Sequence, residues 1–451
     1  MVRDAGMLKW LNRWRNQGKH LTRLKPVVIP RDQHTVSRKQ LSSAAVKTLY
    51  RLQDCGFDAY LIGGGVRDVL LGLTPKDFDI ATNATPEDVK NVFGSQSQII
   101  GRRFRLAHVR WGREVIEVAT FRANHADGDD QSARTNADGR ILRDNVWGSI
   151  EEDAARRDFT INAMYYRIAD FSLWDFANGM ADLKQRIIRL IGDPETRYRE
   201  DPVRMLRAVR FAAKLDFTLA PATAKPIPAL AHLLEEMSSH RLYDECQKLF
   251  ASGHAAPLLP LMQYYGLFAP LFPGPEEHPC EQLWLQIARN TDARLAEGKH
   301  INPAFFFAAL LWGDVQARAE MLIDDGIPPV PAWQQAGTQA VSRQLARTAI
   351  PKHVSQVMRD IWEMQMRLQS PRPRQVEVIA LSERFRAGYD FLLMREQVGE
   401  STGKMAAWWT RWQAADPGLQ AEMQRALVKP EEVTAPRKRR RRPKKAVTSP
   451  Q

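Results

Sequence analysis

Between residues 40 and 121, apolar positions recur with two different periods. Gln40–Gly56 carries Ala45, Leu49 and Leu52 on one face at helical spacing and ends on a glycine, which predicts a helix. Ala59–Ile62 is continuously apolar and predicts a buried strand. Gly63, Gly64 and Gly65 come next and predict a tight turn whose backbone can approach a ligand closely. Val66–Leu71 then suits a short helix stopped by Gly72. In Lys76–Ile80 charged and apolar residues alternate, so a strand there sets Asp77 and Asp79 on one face and Phe78 and Ile80 on the other. Thr85-Pro86-Glu87-Asp88 reads as a helix start, with the helix ending near Phe93. Gln98–Trp111 and Glu114–Phe121 predict a hairpin that turns at Gly112.

The pattern then changes. Asn124–Arg143 is polar and reads as a long mobile loop beside a site. Glu151–Tyr166 resumes helical, apolar character, and Arg186–Gly192 fits a last strand. After Pro194 strand signals almost vanish, and residues 199–430 are mostly helical patterns broken at positions such as Pro221, Pro226, Pro257, Pro273, Pro328 and Pro351. No internal repeat is visible. From Lys429 onward charge and proline rise, and Pro436–Lys445 is expected to be disordered.

Charge sharpens this division. The net charge is +13, of which residues 1–40 supply +8 and residues 437–451 another +8, leaving −3 for the middle. The basic character therefore lives in two arms. Met1–Leu24, with Trp10, Trp14, Leu8 and Leu11 among arginines, can be read as an amphipathic helix at a membrane surface or a transit peptide, but an RNA-contacting arm is the reading favoured. Cys55, Cys246 and Cys280 are widely spaced and suggest neither a zinc site nor a disulfide framework. A reducing cytosol is the simplest compartment. The longest apolar run, Ala304–Trp312, is nine residues, too short to cross a bilayer.

The candidate chemistry sits in Leu61–Ile80. A strand, glycines and a helix start direct backbone N–H groups at an anion, usually phosphate. The sequence lacks both G-x-G-x-x-G and G-K-[ST] there, so neither a Rossmann nor a Walker A loop is indicated. Asp77 and Asp79 together repel unless a cation lies between them, and Mg²⁺ suits hard carboxylate oxygens and phosphates.

This combination resembles the catalytic signature of the DNA polymerase beta-like nucleotidyltransferases, and within them the bacterial poly(A) polymerase and tRNA CCA-adding enzyme family. Arg156-Arg157-Asp158-Phe159-Thr160-Ile161-Asn162-Ala163 resembles that family's second motif, and Glu200-Asp201-Pro202-Val203-Arg204-Met205-Leu206-Arg207-Ala208-Val209-Arg210-Phe211 its nucleotide-selection motif. The resemblance is strong over about residues 28–270 and weaker to the C-terminus. It implies an α+β fold: a nucleotidyltransferase head with a small mixed sheet (41–195), then an all-α neck (196–285) and body and leg (286–430), with a basic arm (1–40) before them and an arginine-rich tail (431–451) behind. It also implies two-metal nucleotidyl transfer with two Mg²⁺ ions. Asp77 and Asp79 are expected to hold the metals, with Glu117 or Asp158 as the third carboxylate. Gly63, Gly64 and Gly65 are expected beside the nucleotide. Arg67, Arg156, Arg157, Arg207 and Arg210 are expected to receive the triphosphate, with Arg67 carrying the stronger claim. Asn162 is expected to hold a ribose hydroxyl or to position Asp158. The Asp201/Arg204 pair is expected to read the base edge of the nucleotide.

Two features favour the poly(A) branch over CCA addition. Ile99-Ile100-Gly101-Arg102-Arg103-Phe104-Arg105-Leu106-Ala107-His108 resembles a stretch of bacterial poly(A) polymerases, and residues 437–445 resemble their arginine-rich ends. Eight tail charges can neutralise RNA phosphates without sequence preference. The expectation is a monomeric, cytoplasmic, template-independent RNA adenylyltransferase that extends RNA 3′ ends with ATP and works alongside RNA-decay proteins. The alternative is a tRNA CCA-adding enzyme.

Overall fold

The computed structural model describes residues 25–101, 105–123, 133–135, 141–144, 146–274 and 280–427. The basic arm before residue 25 and the tail beyond 427 lie outside the described residues, and so does most of the expected loop 124–143. The chain divides into two compact units. The first runs to Pro273 and takes in Ala288–Ile301 and Gln344–Ala349, and the second holds the remainder. Residues 41–195, expected as the head, and residues 196–273 of the expected neck lie in the first unit.

The first unit is built on strands β1 (Val27–Ile29), β2 (Ala59–Ile62), β3 (Asp79–Thr82), β4 (Ser97–Ile100), β5 (Leu106–Trp111), β6 (Glu114–Thr120), β7 (Ala133–Thr135), β8 (Ile141–Asp144), β9 (Met164–Arg167) and β10 (Leu173–Asp175). Eight of them form one sheet in the order β1-β10-β9-β2-β3-β6-β5-β4, while β7 and β8 pair separately. Every step of the eight-stranded sheet is antiparallel except β3–β6. Its helices include α1 (Ser43–Asp54), α2 (Gly63–Leu70), α3 (Pro86–Phe93), α4 (Ile150–Ala155), α5 (Gly179–Gln185), α6 (Pro194–Glu200) and α7 (Val203–Leu215).

Pairing register sorts the side chains onto two faces. Leu61, Ile80, Val118 and Ala107 are successive partners and all are buried. α1 and α3 cover that face: Trp111 Nε1 donates to Thr48 Oγ1 at 2.9 Å and meets Phe93 edge-on. On the other face Tyr60, Ile62, Ala81, Phe121, Ala154, Tyr165 and Phe176 form a compact apolar cluster against α4. Beyond that cluster the same face carries Asp79, Glu117 and His108 as register neighbours. The apolar cluster fixes the sheet, and the polar remainder of the face is where chemistry can occur.

Several expectations are corrected. The three glycines are not a loop: they form the first turn of α2, which starts directly after β2. Only Gly63 has a positive φ, +67°. Asp77 lies before β3, not in it. Gln98–Trp111 is two strands, β4 and β5, with residues 102–104 of their connection undescribed. Glu151–Tyr166 is not one helix. α4 stops at Ala155, a 3₁₀ turn follows at Thr160–Asn162, and Met164–Arg167 is a central strand because Tyr165 and Tyr166 are wholly buried between neighbours. Arg186–Gly192 contributes only the two-residue strand Ile187–Ile188, paired with Thr218–Leu219 outside the main sheet. By contrast, α3 has the expected start: Thr85 and Asp88 form a reciprocal cap with Pro86 at the first position.

The second unit, described by itself, is helical. Its core includes Met364, Leu368, Ile379, Leu392, Trp409 and Trp412. Arg395 is buried within it, over the Trp312 ring at 4.4 Å and donating to Glu400 Oε2 at 2.8 Å.

Candidate active site

Asp79 opens β3 opposite Ile62 of β2 on one side and Glu117 of β6 on the other. The β2–α2 junction folds over it. A Cβ placed on Gly63 would lie 4.0 Å from Asp79 Oδ2 and 3.8 Å from Arg157 Nη1, so these three converge. Burial, then the charge of Glu117, lifts the Asp79 carboxyl to about 6; Arg157 opposes this and Asp77 adds to it. Asp77 is exposed, and its carbonyl lies 3.4 Å from where a Gly65 Cβ would be, so Gly65 lets the acidic segment lie against α2. Glu117, whose side chain is 53% exposed, is faced by His108 from β5, with Nε2 and Oε1 3.4 Å apart. Among the described residues, no three His, Cys, Asp or Glu side chains already converge on one point.

Arg157 is held rigidly. Its Nε donates to the Tyr165 hydroxyl at 2.7 Å, its Nη2 donates to Asp153 Oδ2 at 3.0 Å, and Tyr165 donates to the same Asp153 oxygen at 2.6 Å. The buried Asp153 and Tyr165 thus aim one guanidinium toward Asp79. Arg156 stands next to it among Arg122, Arg157, Arg197 and Arg204; burial, then repulsion from these four, lowers its pKa to about 9. Arg197 is lowered too, by burial and by Arg204. It donates to the carbonyls of Arg156 and Arg157 and to Glu200, while its Nε is buried without a partner. Guanidiniums that depress one another attract a polyanion.

The second and third motifs meet at Asp158. Arg204 Nε donates to its Oδ1 at 2.8 Å and Arg207 pairs with its Oδ2. Burial opposes the carboxylate, but Arg207 and Arg204 outweigh it and hold the Asp158 carboxyl below its usual range. Of the two carboxylates expected as the third, Asp158 is engaged by Arg204 and Arg207, and Glu117 is the register neighbour of Asp79. Arg204, 6% exposed, is paired with Asp158 and Glu200 rather than with Asp201. Asp201 instead accepts from Arg241 at 2.7 Å, because the chain leaves helical geometry between α6 and α7.

Arg67 also departs from expectation. It is 2% exposed, bonded to Asp68 and to Asn162 Oδ1 at 2.7 Å, with its guanidinium over the Phe211 ring. It ties α2 to the second motif and to α7 from inside the protein. Asn162 is its partner rather than that of Asp158. Arg210, also over Phe211, faces Glu245 at 3.9 Å, and burial lowers its pKa. Sequence reasoning missed Arg122, Asp153, Tyr165, Arg197, His108 and Arg241.

A mixed sheet with carboxylates on adjacent strands, a glycine-opened helix above them and clustered arginines beside them defines a nucleotidyltransferase. A family profile described as the poly A polymerase head domain matches residues 59–189, one described as the polymerase A arginine-rich C-terminus matches 325–446, and one described as the probable RNA and SrmB-binding site of polymerase A matches 216–278. Poly(A) polymerase I of Salmonella typhimurium is 45% identical over 93% of this chain and 92% of its own length. The CCA-adding enzyme of Geobacillus stearothermophilus is 40% identical, but over 50% of this chain and 53% of its own. A crystal structure of the Bacillus stearothermophilus CCA-adding enzyme in complex with CTP aligns with a TM-score of 0.55 at 29% identity, covering 85% of this chain and 81% of that one. The chain belongs to the poly(A) polymerase I family.

Proposed function

We propose that this chain transfers AMP from ATP to RNA 3′ hydroxyls without a template, expelling pyrophosphate. One observation carries the chemical part of this reading: Asp79, with its pKa raised, is the register partner of Glu117 and lies beneath Gly63 and Arg157. A carboxyl lifted by burial and then by a neighbouring carboxylate, against the pull of Arg157, marks negative charge short of counter-charge. That donor set, all hard oxygen, fits divalent magnesium held by Asp77, Asp79 and Glu117. When bound, magnesium would supply positive charge at the transferring phosphoryl group and acidify the attacking hydroxyl. The first turn of α2 has no side-chain cap, so its N–H groups are available to phosphate oxygens. Arg157 fixes the phosphate next to Asp79, and Arg156 and Arg197 extend that positive field. Asp201, held by Arg241, offers a carboxylate edge to the base, and Arg204 stiffens the turn from which Asp201 projects.

Choice of ATP over CTP is supported by the extent of the match, which spans nearly the whole chain for poly(A) polymerase I and half of it for the CCA-adding enzyme. The eight basic residues of 437–445 would hold varied RNAs in a salt-sensitive way. We place the protein in the cytoplasm as a monomer, tailing RNA for decay; among the described residues no helix is long and apolar enough to cross a membrane. The test is incubation with Mg²⁺, a generic RNA and each nucleoside triphosphate separately. Long ladders with ATP alone are expected. Addition limited to two C residues and an A on truncated tRNA would establish the CCA-adding alternative instead.

A further inference from the structure

Resting on that reading, we propose that His108 is the positioning residue that orients Glu117 as the third carboxylate of the metal site. Asp79, Glu117 and His108 occupy one row across β3, β6 and β5, as successive register partners. Register partners share a face, so their side chains can meet. Glu117 stands on the open part of that face, and a glutamate there has rotamer freedom and is pushed away by Asp79. His108 supplies what would fix it. Its Nε2 is buried with no hydrogen-bond partner, and Glu117 Oε1 stands 3.4 Å from it. A small turn of the Glu117 carboxylate satisfies that nitrogen. The imidazole then donates to Oε1, and the carboxylate so oriented would help Asp79 hold a divalent cation.

This arrangement needs only an N–H at Nε2, which a neutral imidazole provides, so it does not depend on a charged histidine. Carboxylates that bind metal are commonly fixed by such a hydrogen bond, and losing the partner weakens metal affinity by about 10–100-fold. β5 brings His108 here because Ala107 and Val109, on the opposite face, are buried in the core. The strand is anchored by its neighbours, and the imidazole inherits a fixed position.

The test uses the full chain. Mn²⁺ binding is titrated by electron paramagnetic resonance with ATP present and RNA absent, alongside the Mg²⁺ dependence of AMP incorporation. His108→Ala should weaken Mn²⁺ binding by about 10–100-fold and raise the Mg²⁺ requirement, with KM for RNA unchanged. His108→Gln, which keeps an N–H donor, should recover most of the affinity. In a Glu117→Gln background, His108→Ala should have no further effect. An unaltered Mn²⁺ titration in a folded His108→Ala protein, or an equal loss in the Glu117→Gln background, overturns the proposal. If the wild-type protein itself adds no AMP, the functional reading fails instead, so the two failures are distinct.

Discussion

Asp79 and Glu117 face each other across β3–β6, the parallel step of an otherwise antiparallel sheet. Burial, and then the charge of Glu117, disfavours the ionised form of Asp79 in the folded protein. The Asp79 carboxyl is raised from an ordinary 3.8 to about 6. A raised carboxyl means that the folded state binds the proton more tightly than the unfolded chain. Stability from this group is therefore present at low pH and is lost as pH rises from about 4 to about 6. The cost above that window is roughly 2–3 kcal/mol. Asp79→Asn should remove it: without divalent cation the variant melts higher than wild type at pH 8 and matches it near pH 4. Added Mg²⁺ should stabilise wild type and not the variant. AMP incorporation should fall by about 100-fold or more. A variant that melts no higher than wild type at pH 8 would contradict the assignment.

Gly63 tests whether α2 is a phosphate-binding start. Its φ of +67° is costly for any side chain, and a Cβ there would point between Asp79 and Arg157. Gly63→Ala should cost roughly 1–2 kcal/mol of stability. Activity should drop further than that, on the order of 100-fold, because the methyl occupies the approach to both charged groups. Gly64→Ala is the control, since its φ is not positive and its Cβ would make only an ordinary 3.4 Å contact with the Arg67 guanidinium. Equal losses in ATP turnover for the two variants would sink the idea.

Much of this site was legible in the sequence, for reasons that can be named. Asp79 stood out as half of an acidic pair close after three glycines, and Glu117 entered through the family resemblance as one of two candidates with Asp158. Thr85 and Asp88 announced α3 through local capping chemistry alone. What failed was anything set by distant packing. Three glycines read as a turn, yet β2 feeds straight into α2 because the buried Val66 and Val69 pull the helix back to its start. Arg67 read as a phosphate ligand because its motif lies at the site, but Asn162 and Phe211, distant in sequence, bury it. Glu200, Asp201 and Arg204 read as one helical face, but the backbone is extended at Asp201, just before Pro202, and its side chain meets Arg241. Tyr165 gave no local signal, since a tyrosine in an apolar run looks like ordinary core.

That tyrosine has a measurable role. Its hydroxyl bridges Arg157 Nε and Asp153 Oδ2 in a buried setting. Tyr165→Phe leaves both partners one bond short, at a cost of about 1–3 kcal/mol. It also frees Arg157 to move, so KM for ATP should rise while KM for RNA holds. Steady-state kinetics with varied ATP, together with denaturant melts, separates the two effects. An unchanged KM for ATP would show that Arg157 is positioned by other contacts.

The Asp158–Arg204 pair makes the opposite pH prediction to Asp79. Arg207 and Arg204 hold the Asp158 carboxyl below its usual range, so its contribution to stability is present above the unfolded value and is lost as pH falls. Arg204→Met removes one partner from a buried carboxylate and should cost about 3–5 kcal/mol at pH 7. At pH near 4 protonation of Asp158 relieves much of that strain, so the gap to wild type should narrow. Asp158→Asn combined with Arg204→Met removes both charges of that pair, leaves Arg207 without its carboxylate but partly open to solvent, and should be more stable than Arg204→Met alone. Because Arg204 also braces the turn that presents Asp201, through the Arg197 carbonyl and Glu200, the double variant should still discriminate poorly between ATP and CTP. Restored stability with unrestored nucleotide choice is the expected signature. A double variant that regains full ATP preference would show that Arg204 serves the fold alone and that base selection resides elsewhere.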